Sequence, residues 1–179
     1  MFPRSHHVRQ NPHEEAIKPM KAALENGANF WNATRHVLDS GGVADACREL
    51  GVPLVEYSPM GAGWLTGQFK TLDGLPAADY RVRFPRFQPG AFERNVKLAE
   101  AVGTIAQRKG CTSAQIAIAW VIRHGVLAIP GATKVPRVEE NCRLVDLTEA
   151  EAAELQEAVE HTAVAGDRYP EAAKKHLSK

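Results

Sequence analysis

The chain has 179 residues, 44% of them hydrophobic and 24% charged, with a formal net charge of +1. Those proportions describe one soluble globular domain with enough apolar material for a core. Near-neutral charge gives no electrostatic case for nucleic acid or an acidic membrane surface, and no apolar run approaches the roughly 20 residues of a membrane span. The N-terminus lacks a signal-peptide core. Cys47, Cys111 and Cys142 are odd in number and form no C-x-x-C pair, so free thiols in a cytoplasmic protein are expected. His6 and His7 read as part of a polar start, and no metal site is expected.

In chain order, residues 1–11 are basic and His-rich with no usable period. Residues 12–27 predict a helix, with Ile17, Met20 and Leu24 on one face and Gly27 as the stop; Pro19 marks its first full turn. ANFWNA (28–33) predicts a short strand. Ser40 can cap a helix whose stripe is Val43, Cys47 and Leu50, ended by Gly51. Residues 53–58 predict a strand, followed by PMGAGWLTG, where Gly61, Gly63 and Gly67 keep the loop open and Ser58 and Thr66 offer hydroxyls.

Residues 69–92 read as a long irregular segment, and loops of that length are usually functional or disordered. Arg81, Arg83 and Arg86 interleave there with Phe84 and Phe87, a superficial nucleic-acid pattern outweighed by the absence of a basic surface elsewhere. Residues 93–109 predict an amphipathic helix with Leu98, Ala101, Val102, Ile105 and Ala106 inward. Thr112 and Gln115 have capping-box spacing and open a helix that is apolar on nearly all sides. Gly125 closes it, and VLAI (126–129) suits a parallel strand covered on both faces.

Gly131 then allows close backbone approach to a ligand, and Pro136 suits the first turn of a new helix. Lys134 and Arg137 set two cations beside free helix N–H groups, an anion site, with Glu140 and Asn141 one turn on. By spacing alone this is equally an ordinary strand–loop–helix with solvated charges. Thr148 and Glu151 form another capping box before Ala152, Leu155 and Val159. From Ala163 the tail reads as polar and mobile.

IPGATKVPRVEEN, ENGANFWN and VLDSGGVADACRELGVPLVEYSP together resemble the aldo-keto reductases, particularly the fungal pyridoxal-reductase-like branch. The resemblance implies an α/β fold, a partial (β/α)8 TIM barrel. It implies NADP(H) as cofactor: Lys134 and Arg137 on the 2′-phosphate, Glu140 and Asn141 on adenine, Gly131 in the same loop. Tyr57 would stack on nicotinamide, with Ser58, Met60, Gly61, Leu65 and Thr66 around the pyrophosphate. YRVRFPRFQPGAFERN is similar to the variable loop beside the substrate pocket.

The chain also departs from that family. Asn32 stands at the usual Asp position and Val37 at the catalytic Tyr position, and everything between the second strand and the sixth helix has no counterpart, including the Lys and His of the catalytic tetrad. An eight-stranded barrel takes about 250 residues, so about three of its eight strands are expected here. Residues 1–179 are read as one incomplete domain: a first-helix and second-strand block at 12–33, a cofactor-binding block at 39–159, and disordered ends at 1–11 and 163–179. The implied activity is reduction of small aldehydes or ketones, pyridoxal-like compounds among them, with no catalytic residue retained and little turnover. The alternatives are a non-catalytic interaction protein and an incomplete reading of the gene of a full reductase. Residues 28–33 are expected to pair with 126–129, leaving two raw sheet edges through which the chain self-associates.

Overall fold

A computed structural model describes residue 25 and residues 31–33 and 43–171. The expected helix at 12–27, the Ser40 cap, the Val37 position and the start at 1–11 lie outside the described residues, Glu25 apart. β1 (Trp31–Ala33), β2 (Leu54–Tyr57) and β3 (Val126–Ile129) form one parallel sheet in the order β1-β2-β3. Between β1 and β2 runs α1 (Val43–Glu49), and between β2 and β3 run α2 (Ala91–Lys109) and α3 (Ser113–Arg123). α4 (Val135–Cys142) and α5 (Glu149–His161) follow. Among the described residues no helix is long and apolar enough to cross a membrane.

The expected pairing of 28–33 with 126–129 is not made. Trp31, Asn32 and Ala33 lie opposite Leu54, Val55 and Glu56, while Leu54 to Tyr57 lie opposite Val126 to Ile129 on the other side. The short connection between β1 and β2 carries one helix and closes a βαβ unit between neighbouring strands, the arrangement consecutive elements favour. Reaching β3 would have required the same short connection to pass over β2. Pairing on both sides makes β2 the enclosed strand, with Leu54 and Val55 each 4% exposed. β3 is consequently an edge, and the expectation that both its faces are covered fails. Val126 is buried, but Leu127 and Ile129 are 51% and 48% exposed.

Three helix starts obey the spacing of their caps. Thr112 Oγ1 accepts from Gln115 N–H at 3.2 Å and Gln115 Oε1 accepts from Thr112 N–H at 2.9 Å, so α3 opens where the capping box places it. Thr148 and Glu151 do the same for α5. Lys134 is the N-cap residue of α4, with Pro136 in its first turn. The core forms in two connected regions. In one, Val102 and Ile105 of α2 pack on Ile116 and Ala119 of α3 and on Leu147 and Leu155. In the other, Phe92, Leu98 and Ala99 of α2 pack on Trp64, Leu75 and Phe87, with Leu65 touching both. Phe92, Ile105 and Ile116 are the large apolar side chains most completely withdrawn from water, each worth about 1.5–3 kcal/mol. Lys109–Glu151 at 2.9 Å also ties α2 to α5.

The segment 69–92 is more regular than its composition suggests. Short 3-10 turns at Leu72–Gly74, Tyr80–Arg83 and Pro85–Phe87 fold it onto α2. Asp79 caps the second of them, accepting from Arg81 N–H at 2.9 Å and from the Arg81 guanidinium at 2.9 and 2.6 Å. Those hydrogen bonds hold the Asp79 carboxyl at about 2. The same guanidinium lies 4.4 Å from the centre of the Phe69 ring and donates to Ala62 C=O. Arg81 is thus engaged inside the molecule.

The tail also departs from expectation. Residues 163–171 are not loose but fold back over the body; 172–179 lie outside the described residues. The anchor is Asn95, 1% exposed, whose Nδ2 donates to Arg86 C=O at 3.2 Å and Ala165 C=O at 3.0 Å. Its Oδ1 accepts from Ala165 N–H at 2.8 Å. Polar composition alone hid this, because the partner is a single residue seventy positions away.

Candidate functional site

A cavity of about 230 Å3 opens between the turn after β2, the start of α3 and the start of α4. Six of the residues expected to hold a cofactor line it: Met60, Thr66, Gly131, Arg137, Glu140 and Asn141. Four others share the lining, Gln68, Thr112, Ser113 and Ala114. The last three belong to the cap and first turn of α3, where backbone N–H groups have no intrahelical partner. The capping box marked that helix start in the sequence; what it could not mark is that the start of α3 faces the start of α4.

Arg137 Nη2 donates to Gln68 Oε1 at 3.3 Å, which aims the guanidinium along the wall. Thr66 Oγ1 donates to Gly63 C=O at 2.7 Å and accepts from Gln68 N–H, fixing the turn opposite. Asn141 is buried, Glu140 half-buried, and a Cβ placed on Gly131 would meet nothing within 4 Å. The arrangement is a small polar pocket whose lining combines one guanidinium, hydroxyls and helix-start N–H groups with a carboxylate and an amide. It suits a doubly charged phosphate beside a flat, hydrogen-bonding ring.

Other expected residues are not brought there. Lys134 is exposed and outside the lining. Ser58, Gly61 and Leu65 line a different, larger cavity of about 640 Å3. Gly61 is required where it stands: its φ is +58°, and a Cβ would approach Trp64 Nε1 to 2.2 Å. Tyr57 lines neither cavity. The Arg168 guanidinium sits 4.0 Å from the centre of its ring and donates to its carbonyl oxygen at 3.2 Å. Its hydroxyl is 2.6 Å from that of Tyr169. Burial first, and the Tyr169 hydrogen bond second, push the Tyr57 phenol well above its usual range. The tail therefore covers the ring that the sequence assigns to stacking. Asn32 lies in the middle of β1, opposite Val55.

Residues 33–160 match the sequence profile of the aldo/keto reductase family. An aldo-keto reductase of Gibberella moniliformis is 35% identical over 153 residues, 83% of this chain and 47% of that protein. The aldo-keto reductase yakc of Schizosaccharomyces pombe, which carries NADP(+) in its name, is 38% identical over 133 residues, 72% of this chain and 39% of that protein. The chain thus spans less than half the length of these curated relatives. The solved structure of a glycerol dehydrogenase from Gluconobacter oxydans superposes with a TM-score of 0.66 at 16% identity, covering 89% of this chain and 58% of the other. That likeness places the three-stranded sheet and its helices as part of a (β/α)8 barrel.

Proposed function

The chain belongs to the aldo/keto reductase family, and from that premise we propose that it binds NADP(H) through the smaller cavity, by its 2′-phosphate and adenine. The observation that carries this reading is the meeting of Arg137, the first turn of α3, Glu140 and Asn141 around one pocket. Arg137 and the N–H groups of Ser113 and Ala114 would hold the phosphate, and Glu140 and Asn141 the adenine edge. Lys134, one turn away and exposed, adds long-range attraction rather than contact. At the other end the fit is incomplete, because Arg168 occupies the face of Tyr57.

NADPH supplies a hydride when bound, and in the full-length family this reduces aldehydes or ketones. Here turnover of such carbonyl compounds, pyridoxal-like ones included, is proposed to be absent or slow. Asn32 cannot ionise, Val37 has no hydroxyl, and general acid catalysis alone is worth about 10²- to 10⁴-fold. A charge-assisted hydrogen bond is worth about 1.5–3 kcal/mol, so NADPH should bind about 10-fold or more tighter than NADH. Arg137→Ala should bring the two within about 3-fold of each other. Titration of the purified chain with both nucleotides by tryptophan fluorescence is the test. Equal affinity in the unmodified chain, or a preference untouched by Arg137→Ala, sinks the phosphate assignment.

A second reading, self-association through the open side of the sheet, rests on a separate observation. Leu127 and Ile129 on the β3 edge are half exposed, and beyond them Val135, Val138 and Leu144 are 69%, 49% and 64% exposed. Exposed apolar side chains beside a strand edge that has no partner among the described residues recruit another chain. Sedimentation velocity should therefore show dimers or larger species that dissociate in a Leu127→Lys/Ile129→Lys variant. A single monomer boundary in the unmodified chain refutes it.

A further inference from the structure

The larger cavity, about 640 Å3, has the size of a small-molecule site and shares no lining residue with the pocket proposed for NADP(H). Its walls are apolar and rich in rings: Phe84, Phe87 and Trp120 face Leu98 and Ile116. Two polar atoms within this lining lack hydrogen-bond partners among the described residues. Glu56, on the central strand and 9% exposed, has Oε2 buried without a hydrogen bond. Its Oε1 is 3.9 Å from Arg168 Nη2, too long for one. Trp64 Nε1, also buried, donates to nothing. Buried polar groups are nearly always paired, and an exception asks for an explanation. Both residues belong to the lining of the same apolar space.

We propose that this cavity binds a flat, largely apolar molecule of bicyclic aromatic type bearing a hydroxyl group, the hydroxyl donating to Glu56. A hydroxyl both donates and accepts, so it answers Glu56 Oε2 and offers an acceptor on the side of the Trp64 N–H. The ring walls supply edge contacts of the kind already made between Tyr80 and Phe84 and between Phe84 and Tyr169, at 5.4 and 6.0 Å between centroids. Strand alternation sets Glu56 and Ser58 on the cavity side of β2, and Tyr57 lines neither cavity. The site leaves out the ring assigned to nicotinamide stacking but includes Ser58, Gly61 and Leu65, which the resemblance sets beside the pyrophosphate, so it is tested without nucleotide.

The test compares 2-naphthol with its methyl ether, 2-methoxynaphthalene, by equilibrium dialysis against the full chain. The ether keeps the rings and an acceptor but loses the donor. At about pH 8, where Glu56 is ionised, the naphthol should bind saturably and about 10-fold or more tighter, the ratio set by one hydrogen bond to a buried carboxylate. In Glu56→Met, verified as folded by circular dichroism, the two should bind equally; Glu56→Gln, which retains an acceptor, should keep part of the preference. Equal binding of the two probes to the unmodified chain overturns the proposal, as does a preference that survives Glu56→Met. Failure of 2-naphthol to bind at its solubility limit does the same.

Discussion

Replacing Asn95 with leucine is expected to cost about 3 kcal/mol of folding stability and to free residues 163–171 from the body. Leucine has the branching of asparagine and suits the apolar face between Phe92 and Leu98, but it is the larger side chain, so overpacking at this buried position adds to the loss. What is lost is the set of three hydrogen bonds to Arg86 C=O, Ala165 C=O and Ala165 N–H, at 3.2, 3.0 and 2.8 Å. Each is worth about 0.5–1.5 kcal/mol net, and any of those backbone groups that stays buried without a partner costs about 1–3 kcal/mol. Release of the tail is the cheaper outcome, since it returns the Ala165 groups to water.

Urea unfolding should show a lower midpoint, and amide exchange should show protection falling across 163–171 but not across α3. Retained protection in the tail would mean that the contacts of Gly166, Arg168 and Tyr169 hold it without Asn95. Asn95→Asp, which keeps the Oδ1 acceptor but sets a buried carboxylate against two carbonyl oxygens, should be at least as destabilising. Freed from Arg168, the Tyr57 ring becomes open to solvent, so Asn95→Leu should also bind NADPH more tightly if that ring contributes to the site. Unchanged affinity would confine the nucleotide to the smaller cavity.

What could be read from the sequence was local. Capping boxes at Thr112/Gln115 and Thr148/Glu151 located two helix starts to the residue, because the signal and the structure it produces lie within one turn. The clustering of Arg137, Glu140 and Asn141 was legible in the same way: they sit on one short helix and line one cavity. Strand order was not legible. Nothing in the short runs at 31–33 and 126–129 says which side of β2 each occupies; the length of the connection decides it, and the parent barrel's order misleads once strands are missing. The exposed side of β3 eluded the sequence for the same reason, since an apolar run such as VLAI reads as covered whether or not a neighbour is present. Glu56 was passed over as one charge in an apolar run. An acid flanked by Leu54, Val55 and Tyr57 in a parallel strand is the signal that could have found it.

The fold is expected to lose stability as pH rises through the range from about 4.5 to about 7, and Glu56→Gln is expected to abolish that loss. Burial raises the Glu56 carboxyl from 4.5 to about 7, with Arg168 opposing only in part. Between those values the folded chain holds a proton that the unfolded chain has released. Stability therefore falls with rising pH across the window, is greatest from this group below about 4.5, and is lost once pH passes the folded value near 7. The shift corresponds to at most about 3 kcal/mol, and the partial exposure of the side chain makes the realised figure smaller.

Asp79 and Glu151 act in the opposite sense and in a separate window. Both are held at about 2 by hydrogen bonds, from Arg81 and Lys109 foremost, so their contribution is present at neutral pH and fades only as pH falls below about 4. The two effects do not overlap, which isolates Glu56 between about pH 5 and about pH 8. Urea midpoints at those two values should differ in the unmodified chain, with the lower midpoint at the higher pH. They should differ much less in Glu56→Gln, which is neutral throughout and should be the more stable protein at about pH 8. A slope of the same size in both chains would show that Glu56 reaches water when it ionises, and that the carboxylate is not confined within the apolar cavity.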